Sequence, residues 1–384
     1  MKKLICAILV LCLMMTVLIS CSDKSKDEEI QPEAEPETPP VVELTEEEKR
    51  ELRAEEILSQ MTVEEMAAQM FLVRCDKNTA LEYAKTYSPG GYILFGQDFK
   101  EETPESLRED LSLWQDAAKY GLIFAVDEEG GTVVRASRYE AFRSERFKSP
   151  QAIHNAGGMD AIKLDAKEKS EFLLDLGLNM NLAPVCDISQ NPDDFIYDRA
   201  FGKGAAETAE YVSAVVSEMN TSNIGSALKH FPGYGGNVDT HTGIAVDDRP
   251  YEQFAAEDFI PFKAGIEAGA DAVMVSHNTV LCMDSEYPAS LSKNVHDILR
   301  NELSFDGVIM TDDLVMDAIG TITTPAQAAV IAVNAGNDML ISSDFVTQYE
   351  AVISACESGE ISDARIYEAA KRVITMKLKL GIIE

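Results

Sequence analysis

Val308-Ile309-Met310-Thr311-Asp312-Asp313 is a short apolar run that ends in two carboxylates, and the same form recurs along the chain. Apolar runs stand at Met70–Val73, Tyr92–Phe95, Leu122–Val126, Leu178–Val185, Ile224–Leu228, Ala272–Val275, Val308–Met310 and Met339–Ile341, eight in all. Longer segments of helical character separate them, such as Glu207–Met219, Tyr251–Ala268, Val295–Leu303 and Pro325–Ala335, and Ala364–Leu380 reads as a closing helix. Strands joined by crossover helices imply a parallel sheet. Strands covered on both faces are apolar throughout and do not alternate. A chemically capable group follows most of the runs: Asp127, Asp187, Lys229 with His230, His277 with Asn278, and Asp312 with Asp313. A TIM-type (β/α)8 barrel brings all such strand ends to one face. An open doubly wound sheet also gathers strand ends, but no GxGxxG follows the first run and no phosphate-loop signature is present. The expectation is an α/β chain with one (β/α)8 barrel over residues 45–384.

The remaining residues are read against that barrel. Lys2 and Lys3 precede an apolar run from Leu4 to Ile19, the shape of a signal peptide over residues 1–20 and short for a membrane span. The ending Leu18-Ile19-Ser20-Cys21 resembles a bacterial lipobox, which implies cleavage before Cys21 and lipidation of its thiol. An uncleaved signal anchor or a plain secretory signal are the alternatives, and both still export the chain. Residues 21–44 are rich in Asp, Glu and Pro and poor in large apolar side chains, so they are expected to form a disordered tether. Thr45-x-x-Glu48 and Thr62-x-x-Glu65 then read as capping boxes that open helices. The chain is therefore expected to be exported, held to the bacterial cell membrane by its lipid, monomeric, and catalytic outside the cytoplasm.

A net charge of −33 excludes a nucleic-acid partner, since phosphate binding needs a basic surface. Cys75, Cys186, Cys282 and Cys356 are scattered without a CxxC spacing, so no metal is expected and each is read as a small buried hydrophobe. The densest chemistry lies in Lys229-His230-Phe231-Pro232-Gly233-Tyr234-Gly235-Gly236-Asn237-Val238-Asp239-Thr240-His241. Its glycines and proline permit sharp bends that carry Asp239 and His241 over the barrel mouth. In Asp-x-His the carboxylate can accept from one imidazole nitrogen and leave the other free for proton transfer. A merely solvated loop histidine is the alternative.

The chain resembles glycoside hydrolase family 3 in its β-N-acetylglucosaminidase branch. The motifs that carry the likeness are Met61-Thr62-Val63-Glu64-Glu65, Val126-Asp127-Glu128-Glu129-Gly130-Gly131, Asn181-Leu182-Ala183-Pro184-Val185, Asp198-Arg199-Ala200-Phe201-Gly202, the Lys-His-Phe-Pro-Gly loop and Val308-Ile309-Met310-Thr311-Asp312-Asp313-Leu314. The resemblance implies a retaining exo-hydrolase of terminal β-linked N-acetylglucosamine, from peptidoglycan fragments or a related glycan, without metal or organic cofactor. It makes Asp312 the nucleophile, Asp239 with His241 the acid/base, and Asp127, Arg199, Lys229 and His230 the sugar-binding set, with His277 a further contact. A structural alternative stands beside each. Asp312 could cap the following helix with Asp313, Glu128 and Glu129 could form a solvated acidic turn with Asp127, Arg199 could pair with Asp198 or another acid, and His277 could be a packed neighbour. Tyr234 stands where the branch usually has His, and it is expected to offer a hydroxyl and a ring face to a sugar. A β-glucosidase or β-xylosidase of the same family, and a glycan-binding lipoprotein without turnover, are the competing functions. Asp239-x-His241 argues against the first, and the presence of the whole catalytic set argues against the second.

Overall fold

The computed structural model describes residues 44–240, 243 and 245–384. The expected signal segment, the tether as far as residue 43 with Cys21, and His241 lie outside the described residues. All eight expected strands are present: β1 (Phe71–Arg74), β2 (Gly91–Leu94), β3 (Ile123–Val126), β4 (Met180–Asn181), β5 (Gly225–Phe231), β6 (Ala272–Val275), β7 (Val308–Thr311) and β8 (Leu340–Ser342). They pair in parallel in the order β8-β1-β2-β3-β4-β5-β6-β7. A bridge from Met310 to Met339, with the Thr311 N–H donating to the Met339 carbonyl at 3.1 Å, closes the ring between β7 and β8. The chain is thus a (β/α)8 barrel.

The apolar runs divide their side chains between the inside and the outside of the ring. Leu72, Ile93, Ile123, Ala125, Met180, Ala227, Ala272, Met274, Val308, Met310 and Ile341 pack together inside the barrel. Their neighbours Phe71, Val73, Tyr92, Leu94, Phe124 and Val126 pack against the outer helices. Each residue along a strand meets an apolar layer, whichever way it points, which is why the runs show no alternation. The helices follow from local chemistry. Thr45 and Thr62 both form complete capping boxes with Glu48 and Glu65, and Pro325 begins the helix Pro325–Ala335 behind a capping Thr324.

Three expectations are corrected here. The fourth strand covers only Met180–Asn181, because Pro184 has no N–H to donate to a ladder; pairing resumes at Val185, whose neighbour Cys186 donates to the Lys229 carbonyl at 2.6 Å. The segment from Tyr251 onward is interrupted by a π-helical turn at Phe254–Asp258, which turns the buried Asp258 toward the loop after β5. Of the four cysteines only Cys75 and Cys186 are buried; Cys282 is exposed and Cys356 half-buried, and all four are free thiols. Among the described residues no helix is long and apolar enough to cross a membrane.

Candidate active site

The C-terminal ends of the strands enclose a cavity of about 580 Å³. Asp127, Arg199, Lys229, His230, Asp239 and Asp312 all line it, together with Glu129 and Arg135. Lys229 and His230 stand at the end of β5, and the others come from the loops after β3, β4, β5 and β7, which the barrel alone brings together.

An ion network forms the floor. The Lys229 ammonium is buried and lies 2.7 Å from both Asp127 and Glu129. Arg199 meets Glu129 with a two-pronged contact, Nε at 3.0 Å and Nη2 at 2.7 Å. Arg135 approaches the other Asp127 oxygen at 3.3 Å. Burial by itself raises the Glu129 carboxyl, but the Arg199 and Lys229 charges outweigh it and hold the group well below the usual carboxylate range. Lys229 is shifted upward, since Asp127 and Glu129 overcome the burial that would lower it. Lys229 uses two of its three donors in this network, and the Asp127 oxygens keep lone pairs that can accept further hydrogen bonds.

Glu128 and Glu129 are thus buried and are not a solvated acidic turn. Glu128 accepts from the Arg135 and Ala136 backbone N–H groups, both at 2.9 Å, and from the Ser137 hydroxyl. Its own N–H and carbonyl are held by the Asn181 side chain at 3.0 and 3.1 Å. Asn181 on β4 therefore fixes the turn that presents Asp127 and Glu129. Gly130 in that turn has φ +100, and a Cβ there would meet the Lys148 carbonyl at 2.2 Å.

His230 is oriented on both sides. Arg199 Nη2 donates to its Nε2 at 3.1 Å, so the ring proton sits on Nδ1 and donates to Asp187 at 2.7 Å. Asp187 also accepts the Tyr234 N–H at 2.8 Å through its other oxygen. Cis peptide bonds stand at Lys229–His230, within β5, and at Phe231–Pro232, where the chain leaves it.

Directly after β7, the two carboxylates have different settings. Asp313 accepts from the Val315 and Ser343 N–H groups at 3.2 and 3.3 Å and from the Ser343 hydroxyl, which makes it the pin of the following turn. Asp312 opens on the cavity, with one carboxylate oxygen accepting the Asp313 N–H at 2.8 Å. His277 does not line the cavity: its Nδ1 meets the Ser290 hydroxyl at 2.7 Å and its Nε2 donates to the Asp313 carbonyl at 2.9 Å. The ring thereby supports the backbone beside Asp312.

The loop carrying Asp239 is braced from below. Arg249 reaches Asp247 at 2.8 Å, Asp258 at 2.9 Å and the Gly233 carbonyl at 3.3 Å. Asn237 donates to Asp247 at 2.7 Å. At Gly233, φ is +122 and an added Cβ would lie 2.2 Å from an Asp258 carboxylate oxygen. Gly233→Ala is expected to lower stability by about 2–4 kcal/mol, measured by denaturant unfolding; an unchanged midpoint would refute this packing. Tyr234 is buried, and its hydroxyl is spent on Thr240, so its expected sugar contact is corrected. Glu129, Arg135 and Asp187 received no role from sequence. Asp187 carries a signal through its strand-end position, whereas the partners of Glu129 lie far away in the chain and Arg135 stands in a loop without a motif to mark it.

Among the described residues no group of three or more His, Cys, Asp or Glu side chains is arranged to hold a metal. The sequence profile of the glycosyl hydrolase family 3 N-terminal domain matches residues 62–376. A β-hexosaminidase of Xanthomonas campestris pv. campestris (strain B100) is 32% identical over 254 residues, which covers 65% of this chain and 76% of that protein. The structure of a family 3 β-N-acetylglucosaminidase from Paenibacillus sp. str. FPU-7 superposes with a TM-score of 0.78 at 29% identity, over 84% of this chain and 63% of that one. A β-N-acetylhexosaminidase from Beutenbergia cavernae DSM 12333 gives a TM-score of 0.71 at 27% identity, over 82% and 98%.

Proposed function

The chain belongs to glycosyl hydrolase family 3, and from that membership we propose that it is a retaining exo-β-N-acetylglucosaminidase acting on terminal β-linked N-acetylglucosamine of peptidoglycan-derived or related glycans. The observation that supports this most is that Asp312 and Asp239 open on the same cavity as Asp127, Arg199, Lys229 and His230. The Asp312 carboxylate attacks the anomeric carbon and forms a glycosyl ester while the bond to the leaving oxygen breaks. His241, supported by Asp239, gives that oxygen its proton. Water then attacks the same carbon, returns a proton to His241 and frees Asp312, so two inversions leave the configuration retained. Arg199 and Lys229 donate to sugar hydroxyls and Asp127 accepts from them.

The test compares aryl β-N-acetylglucosaminide, β-glucoside and β-xyloside. Preference for the first is expected; activity on the others alone would sink the branch assignment. His241→Ala is expected to slow poor leaving groups by about 100-fold or more and good ones far less, because only the former need a proton in the transition state. Equal losses would remove His241 from the acid role. The same reading has the chain exported and anchored through Cys21, as a monomer. Cys21→Ala should then move the protein from the membrane fraction to the soluble one, and an unchanged distribution would reject the anchor.

A further inference from the structure

We propose that Tyr234 positions the acid/base arm relative to the sugar-binding set, acting through its hydroxyl on Thr240 and its backbone on Asp187. This rests on the acid/base reading of Asp239 and His241. The Thr240 N–H donates to the Tyr234 phenol oxygen at 2.9 Å, and the Thr240 hydroxyl shares a second hydrogen bond with it at 3.0 Å. That N–H belongs to the peptide joining Asp239 to Thr240, so the anchor holds the chain directly after Asp239, at the residue that stands between the two members of the dyad in sequence. Both residues are buried, whereas Val238 next to Asp239 is exposed. The arm is open to solvent at Val238 and is held on its inner side through Thr240.

At its other end Tyr234 is tied to the sugar-binding set. Its N–H donates to one oxygen of Asp187 at 2.8 Å while the other oxygen accepts from the His230 ring at 2.7 Å. Its ring packs 5.7 Å from both the His230 and the Phe195 rings, centroid to centroid. One carboxylate thus orients the imidazole that faces the sugar and the residue that holds the proton-transfer arm. The distance between the two parts of the site follows from that shared support. A buried phenol acting as both donor and acceptor resists displacement by water, since breaking it leaves an N–H and two hydroxyls unpaired.

The experiment replaces Tyr234 with Phe, which keeps the ring and removes only the anchor. Two N-acetylglucosaminides are compared, one with a dinitrophenyl leaving group and one with a poor methylphenyl group, and exchange of the Thr240 amide proton is followed by NMR. For the poor leaving group kcat is expected to fall about tenfold or more, against less than about threefold for the good one, with KM within about twofold. Thr240 amide exchange is expected to accelerate by about tenfold or more as its partner is lost. Equal losses for both leaving groups, or an unchanged Thr240 exchange rate, would overturn the proposal. Should Tyr234→Phe fail to fold, Thr240→Val removes the second hydrogen bond alone and must give the same leaving-group asymmetry. A wild-type protein inactive on every N-acetylglucosaminide would reject the proposed function, while amide exchange would still decide whether Tyr234 anchors Thr240.

Discussion

Asp312→Ala is expected to reduce turnover by about 10⁴-fold or more while leaving the fold intact. The carboxylate in its proposed role is the group that bonds to the anomeric carbon, and no neighbour stands ready to replace it. Asp313, adjacent in sequence, is committed to Ser343 and Val315 and is shifted upward mainly by burial. The fold should survive because the turn is pinned by Asp313 and by the hydrogen bond from His277 to its carbonyl. The measurement is kcat on an aryl N-acetylglucosaminide beside thermal unfolding. Residual activity above about 1% of wild type, with contamination excluded, would transfer the nucleophile role elsewhere.

Glu129→Ala is expected to cost about 3–5 kcal/mol of stability and to remove most sugar binding, because it leaves the buried Arg199 and Lys229 cations without their shared counter-charge. The sign of the pH dependence follows from the depressed carboxyl. Glu129 contributes its full stabilisation above the usual carboxylate value of about 4.3 and loses it as pH falls toward its much lower value in the fold. Wild type should therefore lose stability on acidification more steeply than the variant, and denaturant titrations across that range measure the difference. Equal acid slopes would show that the network does not hold Glu129 ionised.

The network also marks where sequence reading stopped. Asp127, Lys229, His230, Asp239 and Asp312 were visible because each follows an apolar run or sits in the glycine-rich loop, and the cavity gathers all of them. The burial of Glu129 is not legible in the sequence, since nothing nearby in the chain announces that Arg199 and Lys229 will cover it. His277 occupied a strand end like the others, yet its ring turns to Ser290 and the backbone of Asp313.

The sequence by itself determined the eight strands, the helix caps and the barrel, because these depend on local periodicity, on capping chemistry and on burial of both sheet faces. It also determined which residue types stand at the barrel mouth. Tertiary structure alone decided which carboxylate is a pin and which faces the cavity, that Glu129 holds two cations, and that the Tyr234 hydroxyl turns inward to Thr240. Those outcomes depend on side-chain directions and on partners brought close only when the ring of strands closes, where a buried charge must find its counter-charge across long stretches of chain.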